Sequence, residues 1–115
     1  MFNFPKTSRL LKQLEFNAVF QSEAKVVDPY FVMLGVRSSR SVARIGVVAS
    51  RKVGNAVTRN GIKRRIRERF RLIKKDGTGI DFVVVARSQA VFATTEDLSV
   101  SFDRCLDRLY KKIRV

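Results

Sequence analysis

Lysine and arginine side chains are concentrated between residues 51 and 75, in the segment RKVGNAVTRNGIKRRIRERFRLIKK. This segment holds 11 of the 24 basic residues of the chain and one acidic residue, Glu68. Guanidinium and ammonium groups bind phosphate oxygens, and the planar fork of arginine suits a phosphate especially well. The chemistry that these residues favour is therefore the binding of a polyanion.

Residue types that usually carry enzymatic chemistry are scarce. The chain has no histidine and one cysteine, Cys105, so Cys-His and Ser-His-Asp chemistry is excluded, as is an internal disulfide. A zinc site would need clustered cysteine or histidine ligands. Cys105 is expected to be a buried small hydrophobe. Asp103 and Asp107 are four residues apart, but they lie among arginines and are expected to form surface ion pairs.

The composition predicts one domain that spans residues 1–115. The chain is 45% hydrophobic, which is enough for a core, and its net charge of +14 with a pI of about 11.1 predicts nucleic acid or an anionic membrane surface as a partner. No apolar run approaches the roughly 20 residues of a membrane span, and the N-terminus lacks a signal-peptide core. We therefore expect a cytoplasmic protein with no membrane span.

The hydrophobic pattern predicts the elements that precede and hold the basic segment. Apolar residues at three- and four-residue spacings predict a helix over residues 9–25. Residues 30–39 and 42–50 are rich in β-branched residues, and the polar group SSRS between them predicts a hairpin.

The second half of the chain is expected to contain a helix, a strand and a helix. Asn55 is a candidate N-cap for a helix over residues 56–74. The apolar run at residues 80–87 predicts a buried central strand, and residues 94–113 predict a final helix capped by Thr94 or Thr95. This order indicates an α+β fold with helices packed on a mixed sheet.

Within the basic helix, the residues Ile62, Ile66, Phe70 and Ile73 share an arc of roughly 80° and form the predicted core face. The cationic residues occupy a neighbouring arc of roughly 140°. A solvated helix face normally mixes charges of both signs, whereas this one is expected to lack an acidic partner. We therefore expect it to contact nucleic acid, and the composition does not decide between DNA and RNA.

The segment KVGNAVTRNGIKRRIRERFR resembles the signature of the protein subunit of bacterial ribonuclease P. The chain departs from that signature at Gly61, where the family usually carries the second arginine of an Arg-Asn-Arg motif. The resemblance also covers FPKTSRLLKQLEFNAVFQ, ARIGVVASRKVGNAV and DFVVVAR. The signature is matched at Lys52, Val53, Gly54, Asn55, Ala56, Val57, Arg59, Asn60, Lys63, Arg64, Arg67 and Glu68.

The resemblance implies a two-layer α/β sandwich with a mixed four-stranded sheet. It also implies that the basic helix lies in a left-handed β-α-β crossover. Physical reasoning alone predicts the opposite hand, because such crossovers are nearly always right-handed.

The resemblance further implies the function of a ribonucleoprotein subunit. The holoenzyme is similar to one that removes the 5′ leader of precursor tRNA by hydrolysing a phosphodiester bond. Its RNA subunit is the catalyst and requires Mg²⁺, so no catalytic residue, protein-bound metal or small-molecule substrate is expected for this chain. The expected partners are the ribonuclease P RNA and the leader of the precursor tRNA.

Two RNA-binding surfaces follow from this resemblance. The leader is expected to lie in a cleft between the first helix and the sheet, where Phe16, Phe20 and Tyr30 can stack on its bases. Tyr30 and Phe31 cannot both line that cleft, because adjacent strand residues point to opposite faces. The catalytic RNA is expected to contact the basic helix and the turn before it, through Arg51, Lys52, Asn55, Arg59, Asn60, Lys63, Arg64, Arg67 and Arg71.

Two other classes of function stay open at this point. A small ribosomal or RNA-chaperone protein would also carry a basic face and a sheet. The spacing of the motif is what distinguishes a ribonuclease P protein subunit from such a protein. A protein-only nuclease would have to use Asp103 and Asp107, which are poorly placed for it.

Overall fold

The computed structural model describes residues 24–38, 42–73 and 79–113. Within these ranges, no helix is long and apolar enough to cross a membrane. The elements in chain order are the strands β1 (Lys25–Val27), β2 (Phe31–Arg37) and β3 (Arg44–Val48), the helix α1 (Ala56–Leu72), the strand β4 (Ile80–Ala86), a short 3-10 helix (Ser88–Phe92) and the helix α2 (Thr95–Ile113).

The four strands form one mixed sheet in the order β1-β2-β4-β3. Strand β4 is antiparallel to β2 and parallel to β3, and α1 connects the two parallel strands. The mixed four-stranded sheet and the α+β class are therefore confirmed, as is the central position of the apolar strand β4. The left hand of the crossover stays a prediction from the resemblance.

The predicted hairpin between the second and third strands is wrong. Strand β4 lies between β2 and β3 and pairs with both of them. Its sequence, IDFVVVA, is almost continuously apolar, and six of its seven residues are buried. A strand buried on both faces belongs at the centre of a sheet. Strand β4 therefore lies between β2 and β3 and prevents them from pairing with each other.

The first strand, β1, replaces the end of the predicted N-terminal helix. Lys25 was expected to be helical, but it begins a strand that pairs antiparallel with β2. Within this strand Val26 is buried between two exposed neighbours, which is the alternation of a half-buried edge strand. The rest of the predicted helix, up to residue 23, lies outside the described residues.

The helices α1 and α2 pack on one face of the sheet. Alternate residues of β2 and β4, among them Phe31 and Phe82, point to this face and belong to the main core. Phe70 of α1 contacts Phe82 edge-to-face, with ring centroids 5.8 Å apart, and lies 6.5 Å from Phe102 of α2. These aromatic contacts fix α1 against both the sheet and the second helix.

The opposite face of the sheet carries a second apolar cluster and one buried ion pair. Leu34 and Val83 are buried there, and half-buried valines of β2, β3 and β4 pack against them. Arg44 and Asp81 are direct partners in the parallel register of β3 and β4. The Arg44 guanidinium donates from Nε and Nη2 to the two carboxylate oxygens of Asp81, at 2.9 and 2.7 Å.

Candidate nucleic-acid interface

The basic helix α1 begins at a turn that its sequence specifies. Gly54 has a φ of 155°, a region that side chains other than glycine rarely adopt. The next residue, Asn55, is the N-cap, and its side-chain oxygen accepts a hydrogen bond of 2.9 Å from the Thr58 backbone N–H. The predicted cap is therefore confirmed, and the turn of residues 51–54 is held against the start of the helix.

The two sides of α1 differ as its periodicity predicts. Ile62, Ile66 and Phe70 are buried against the sheet, and Ile73 is the half-buried C-cap. All nine residues predicted to contact the catalytic RNA are exposed or half-buried. The exposed ones are Arg51, Lys52, Asn55, Asn60, Arg64 and Arg71, and the half-buried ones are Arg59, Lys63 and Arg67.

Ion pairing leaves part of this cationic side unneutralised. Among the residues that the structure describes, no ion pair engages Lys63 or Arg64. Arg71 differs, because its Nη2 lies 2.7 Å from the Glu68 carboxylate. The expectation that this side lacks an acidic partner is therefore wrong at Arg71, where a residue three positions earlier reaches the guanidinium.

Arg69 lies on another side of the helix and has a structural role. Its guanidinium makes a two-pronged contact with the Asp103 carboxylate of α2, and its Nε lies 2.9 Å from Oδ1. This hydrogen bond raises the pKa of Arg69. Arg69 thus links the two helices, which is consistent with its absence from the predicted RNA-binding set.

Arg59 contains a polar atom that lacks a protein partner. Its Nε is buried and has no hydrogen-bond acceptor in the structure described here. A buried donor without an acceptor is unfavourable by about 1–3 kcal/mol, so most such donors in folded proteins are paired. The arrangement leaves Arg59 with a donor that an incoming anion can satisfy after a rotation of the side chain.

The residues predicted to bind the leader are only partly within the described structure. Phe16 and Phe20 lie outside it. Phe31 is fully buried in the main core, so it does not line a cleft, in agreement with the alternation argument. Tyr30 is half-buried and stacks edge-to-face on Phe31 at 6.4 Å.

The surroundings of Tyr30 are acidic, which sequence reasoning did not anticipate. Tyr30 lines a depression of about 320 Å³ together with the carboxylates of Asp28, Glu96 and Asp97, as well as Arg104. Arg104 also lines this depression, and Arg87 lies beside it, because its Nη1 donates to the Asp28 carbonyl at 2.9 Å. The leader-binding role of Tyr30 stays a prediction.

The described residues do not assemble a metal site or a nucleophile. Within ranges 24–38, 42–73 and 79–113, no three of the Asp, Glu, Cys and His side chains are grouped to hold a metal ion. Asp103 pairs with Arg69 of α1 and Asp107 with Lys111, so both form ion pairs as expected, but not with the arginines beside them in the sequence. Cys105 is fully buried as predicted, and burial raises the pKa of its thiol to about 11.

An exposed cationic helix held on a mixed sheet places this chain among small basic α+β proteins of the nucleic-acid-binding class. Comparison with known proteins narrows this class. Residues 4–110 match the family model described as Ribonuclease P. The chain therefore belongs to the family of ribonuclease P protein components, which serve in the tRNA-processing ribonucleoprotein endonuclease.

Relatives and solved structures agree with this assignment. The chain is 37% identical over 101 residues to the ribonuclease P protein component of Staphylococcus haemolyticus, covering 88% of this chain and 89% of that protein. It is 36% identical over 110 residues to that of Geotalea uraniireducens, with coverages of 96% and 97%.

The fold is similar to that of the RNase P protein of Staphylococcus aureus, with a TM-score of 0.82, 33% identity and coverages of 89% and 94%. For the RNase P protein of Thermotoga maritima the TM-score is 0.76, with 29% identity and coverages of 87% and 96%.

Proposed function

We propose that this chain binds the catalytic RNA of ribonuclease P through the outer side of α1 and the turn before it. The observation that carries the proposal is the unneutralised charge of this side, where Lys63 and Arg64 have no ion pair among the described residues. In the free protein such charges repel one another. Bound RNA phosphates would offset this repulsion, because they attract the basic side chains.

The shape of α1 suits a contact along several phosphates. Its 17 residues span about 25 Å, and its buried side holds it rigidly against the sheet. A-form RNA has a deep, narrow major groove that side chains do not read, so the expected contacts are to phosphates, 2′-hydroxyls and unpaired bases. Asn60 and the free amide hydrogens of Asn55 would supply hydrogen bonds to sugars or bases.

The chain would assist the reaction by binding, while the RNA performs the chemistry. We propose that it also holds the 5′ leader of precursor tRNA, with Phe16 and Phe20 stacking on its bases. The Mg²⁺ ions required for phosphodiester hydrolysis would be bound by the RNA subunit. This activity places the chain in the cytoplasm, with the tRNA precursors.

The test is reconstitution of precursor-tRNA cleavage at modest Mg²⁺ concentration. We expect the purified chain to support multiple-turnover removal of the leader only when its own RNA subunit is added. Cleavage by the chain alone, after rigorous removal of RNA, would contradict the proposal. Failure to stimulate the RNA subunit, together with recovery of ribosomal RNA from cells by pull-down, would favour the ribosomal or RNA-chaperone alternative instead.

A further inference from the structure

Phe92 is an aromatic side chain that the fold holds in solvent. It ends the 3-10 helix Ser88–Phe92 and is 87% exposed. Its neighbours are fixed, because Ala90 is fully buried and Ala93 is 8% exposed. The Ala90 N–H also donates to the Arg87 carbonyl, and the Ala93 N–H donates to the Ala90 carbonyl. Phe92 is therefore an exposed ring on an anchored segment.

The register between the two helices indicates that the 3-10 helix, which ends at Phe92, lies near the first half of the basic helix. Arg69 pairs with Asp103, and one turn earlier Arg65 lines the same groove as Thr95 and Ser99. One further turn back along α1 is Gly61, which must then lie opposite the residues just before Thr95. The 3-10 helix packs against α1 in agreement with this register.

The groove between α1 and the start of α2 is open and positively charged. It has a volume of about 310 Å³, and Arg64 and Arg65 lie on its α1 wall. Its one carboxylate, Glu68, is engaged by Arg71, so it does not neutralise these two arginines. At Gly61 an added Cβ would meet no atom of the described residues within 4 Å, which leaves room for a ligand beside the helix.

We propose that Phe92 stacks on an unpaired RNA base whose neighbouring phosphates lie in this groove against Arg64 and Arg65. The inference rests on the proposed function, since it assumes that α1 binds RNA. It extends the RNA-binding surface from Arg64 to Arg65 and Phe92, on the flank of α1 that faces the start of α2. Single-stranded RNA needs both an aromatic platform and a cationic track. The groove supplies the arginines, and the 3-10 helix that precedes its Thr95 wall supplies the exposed ring. The net charge of +14 disfavours a second copy of the chain as the occupant.

The test compares three substitutions of Phe92 in equilibrium binding to the purified RNA subunit of ribonuclease P. Phe92→Ala and Phe92→Leu remove the aromatic face, and we expect each to weaken binding roughly 5- to 150-fold, which corresponds to one lost stacking contact. Phe92→Trp keeps the aromatic face and should bind within about twofold of the parent chain, which is less than the roughly fivefold lower limit for losing one stacking contact. The salt slope should not change, because no charge is lost.

The same tryptophan variant gives a direct signal, because the chain contains no tryptophan of its own. We expect its fluorescence to be quenched when the RNA subunit is added. Val100→Ala is the matched control, since Val100 is 51% exposed and lies in the acidic depression near Tyr30. It should leave RNA affinity unchanged, and all variants should unfold at the temperature of the parent chain.

The possible failures are distinguishable. If Lys63→Ala weakens RNA binding while Phe92→Ala does not, the proposed function stands and the stacking inference is overturned. If neither variant changes RNA binding, both the proposed RNA interface on α1 and the stacking inference are contradicted. Loss of self-association in Phe92→Ala, with RNA affinity unchanged, would instead identify the ring as a contact between copies.

Discussion

At the scale of single residues, the charged side chains of α1 fall into two groups. Some contact a carboxylate of the protein, and others have no such contact and are available to bind a partner. Arg69 and Arg71 each contact a carboxylate, whereas Lys63 and Arg64 have none among the residues described here. Helical periodicity predicted the outward position of the six residues of this set that lie within α1, because it places them away from Ile62 and Ile66, and the other three lie in the turn and at the N-cap before the helix. It did not predict which arginines are paired, since Asp103 lies 34 positions from Arg69 and meets it only in the folded chain.

A substitution at this scale tests the charge directly. Lys63→Ala should weaken binding to the RNA subunit and lower the slope of log K against log salt by roughly 0.7–0.9, the value for one lost phosphate contact. The measurement is a salt titration of the equilibrium constant. Lys111→Ala is the control, because Lys111 is equally basic but lies at the end of α2, paired with Asp107. Equal slopes for both variants and the parent chain would remove Lys63 from the interface.

The exposure of Phe92 could not be predicted from the sequence either. Phe92 occurs in the segment SQAVFATT, where apolar and small residues alternate without a clear period. Ala90 and Ala93 are buried while the larger Phe92 is exposed, the reverse of what hydrophobicity predicts. Only the path of the 3-10 helix decides which of these side chains meets solvent.

At the scale of elements, the helices were predicted well and the strand pairing was not. The apolar stripes of α1 and α2 repeat every three or four residues, so their faces follow from local geometry. The sheet depends on contacts between segments far apart in the chain. Strand β2 therefore pairs with β4 rather than with the adjacent β3, and the short strand β1 carries too few residues for a clear signal.

The parallel pairing of β3 with β4 contains the buried contact between Arg44 and Asp81, whose side chains are each 9% exposed. Asp81→Ala should destabilise the protein by about 3–5 kcal/mol, because it leaves a buried guanidinium without its two-pronged acceptor. Denaturant unfolding of the free protein measures this loss. Asp107→Ala removes an exposed ion pair and should cost no more than about 1 kcal/mol. If both variants lost a similar amount of unfolding free energy, burial would not make the Arg44–Asp81 pair more important for stability than the exposed pair.

At the scale of the whole molecule, the charge balance opposes the compact state. A net charge of +14 on 115 residues creates repulsion that folding must overcome. The same excess of positive charge gives the long-range attraction for RNA that the family relationship implies. We therefore expect RNA affinity and the stability of the free protein to respond to salt in opposite directions.

Thermal unfolding of the free protein should reveal this opposition. We expect the melting temperature to rise when sodium chloride increases from about 0.01 M to about 0.1 M, because the screening length falls from roughly 30 Å to roughly 10 Å. Over the same range RNA affinity should fall. A melting temperature that stays constant or decreases would mean that the ion pairs of the fold outweigh the repulsion among the basic residues.

The central position of β4 also determines when this protein can fold during its synthesis. Strand β2 can pair with the earlier strand β1, but β3 does not pair with β2, and its partner in the sheet is β4, which begins at Ile80. Arg44 meets Asp81 across a separation of 37 residues. Sheets closed by such distant segments form slowly, since loop closure precedes the stabilising contacts. We therefore expect the basic helix to leave the ribosome before the sheet that supports it is complete, and a nascent chain that stops short of residue 86 to expose its positive charges without the full fold.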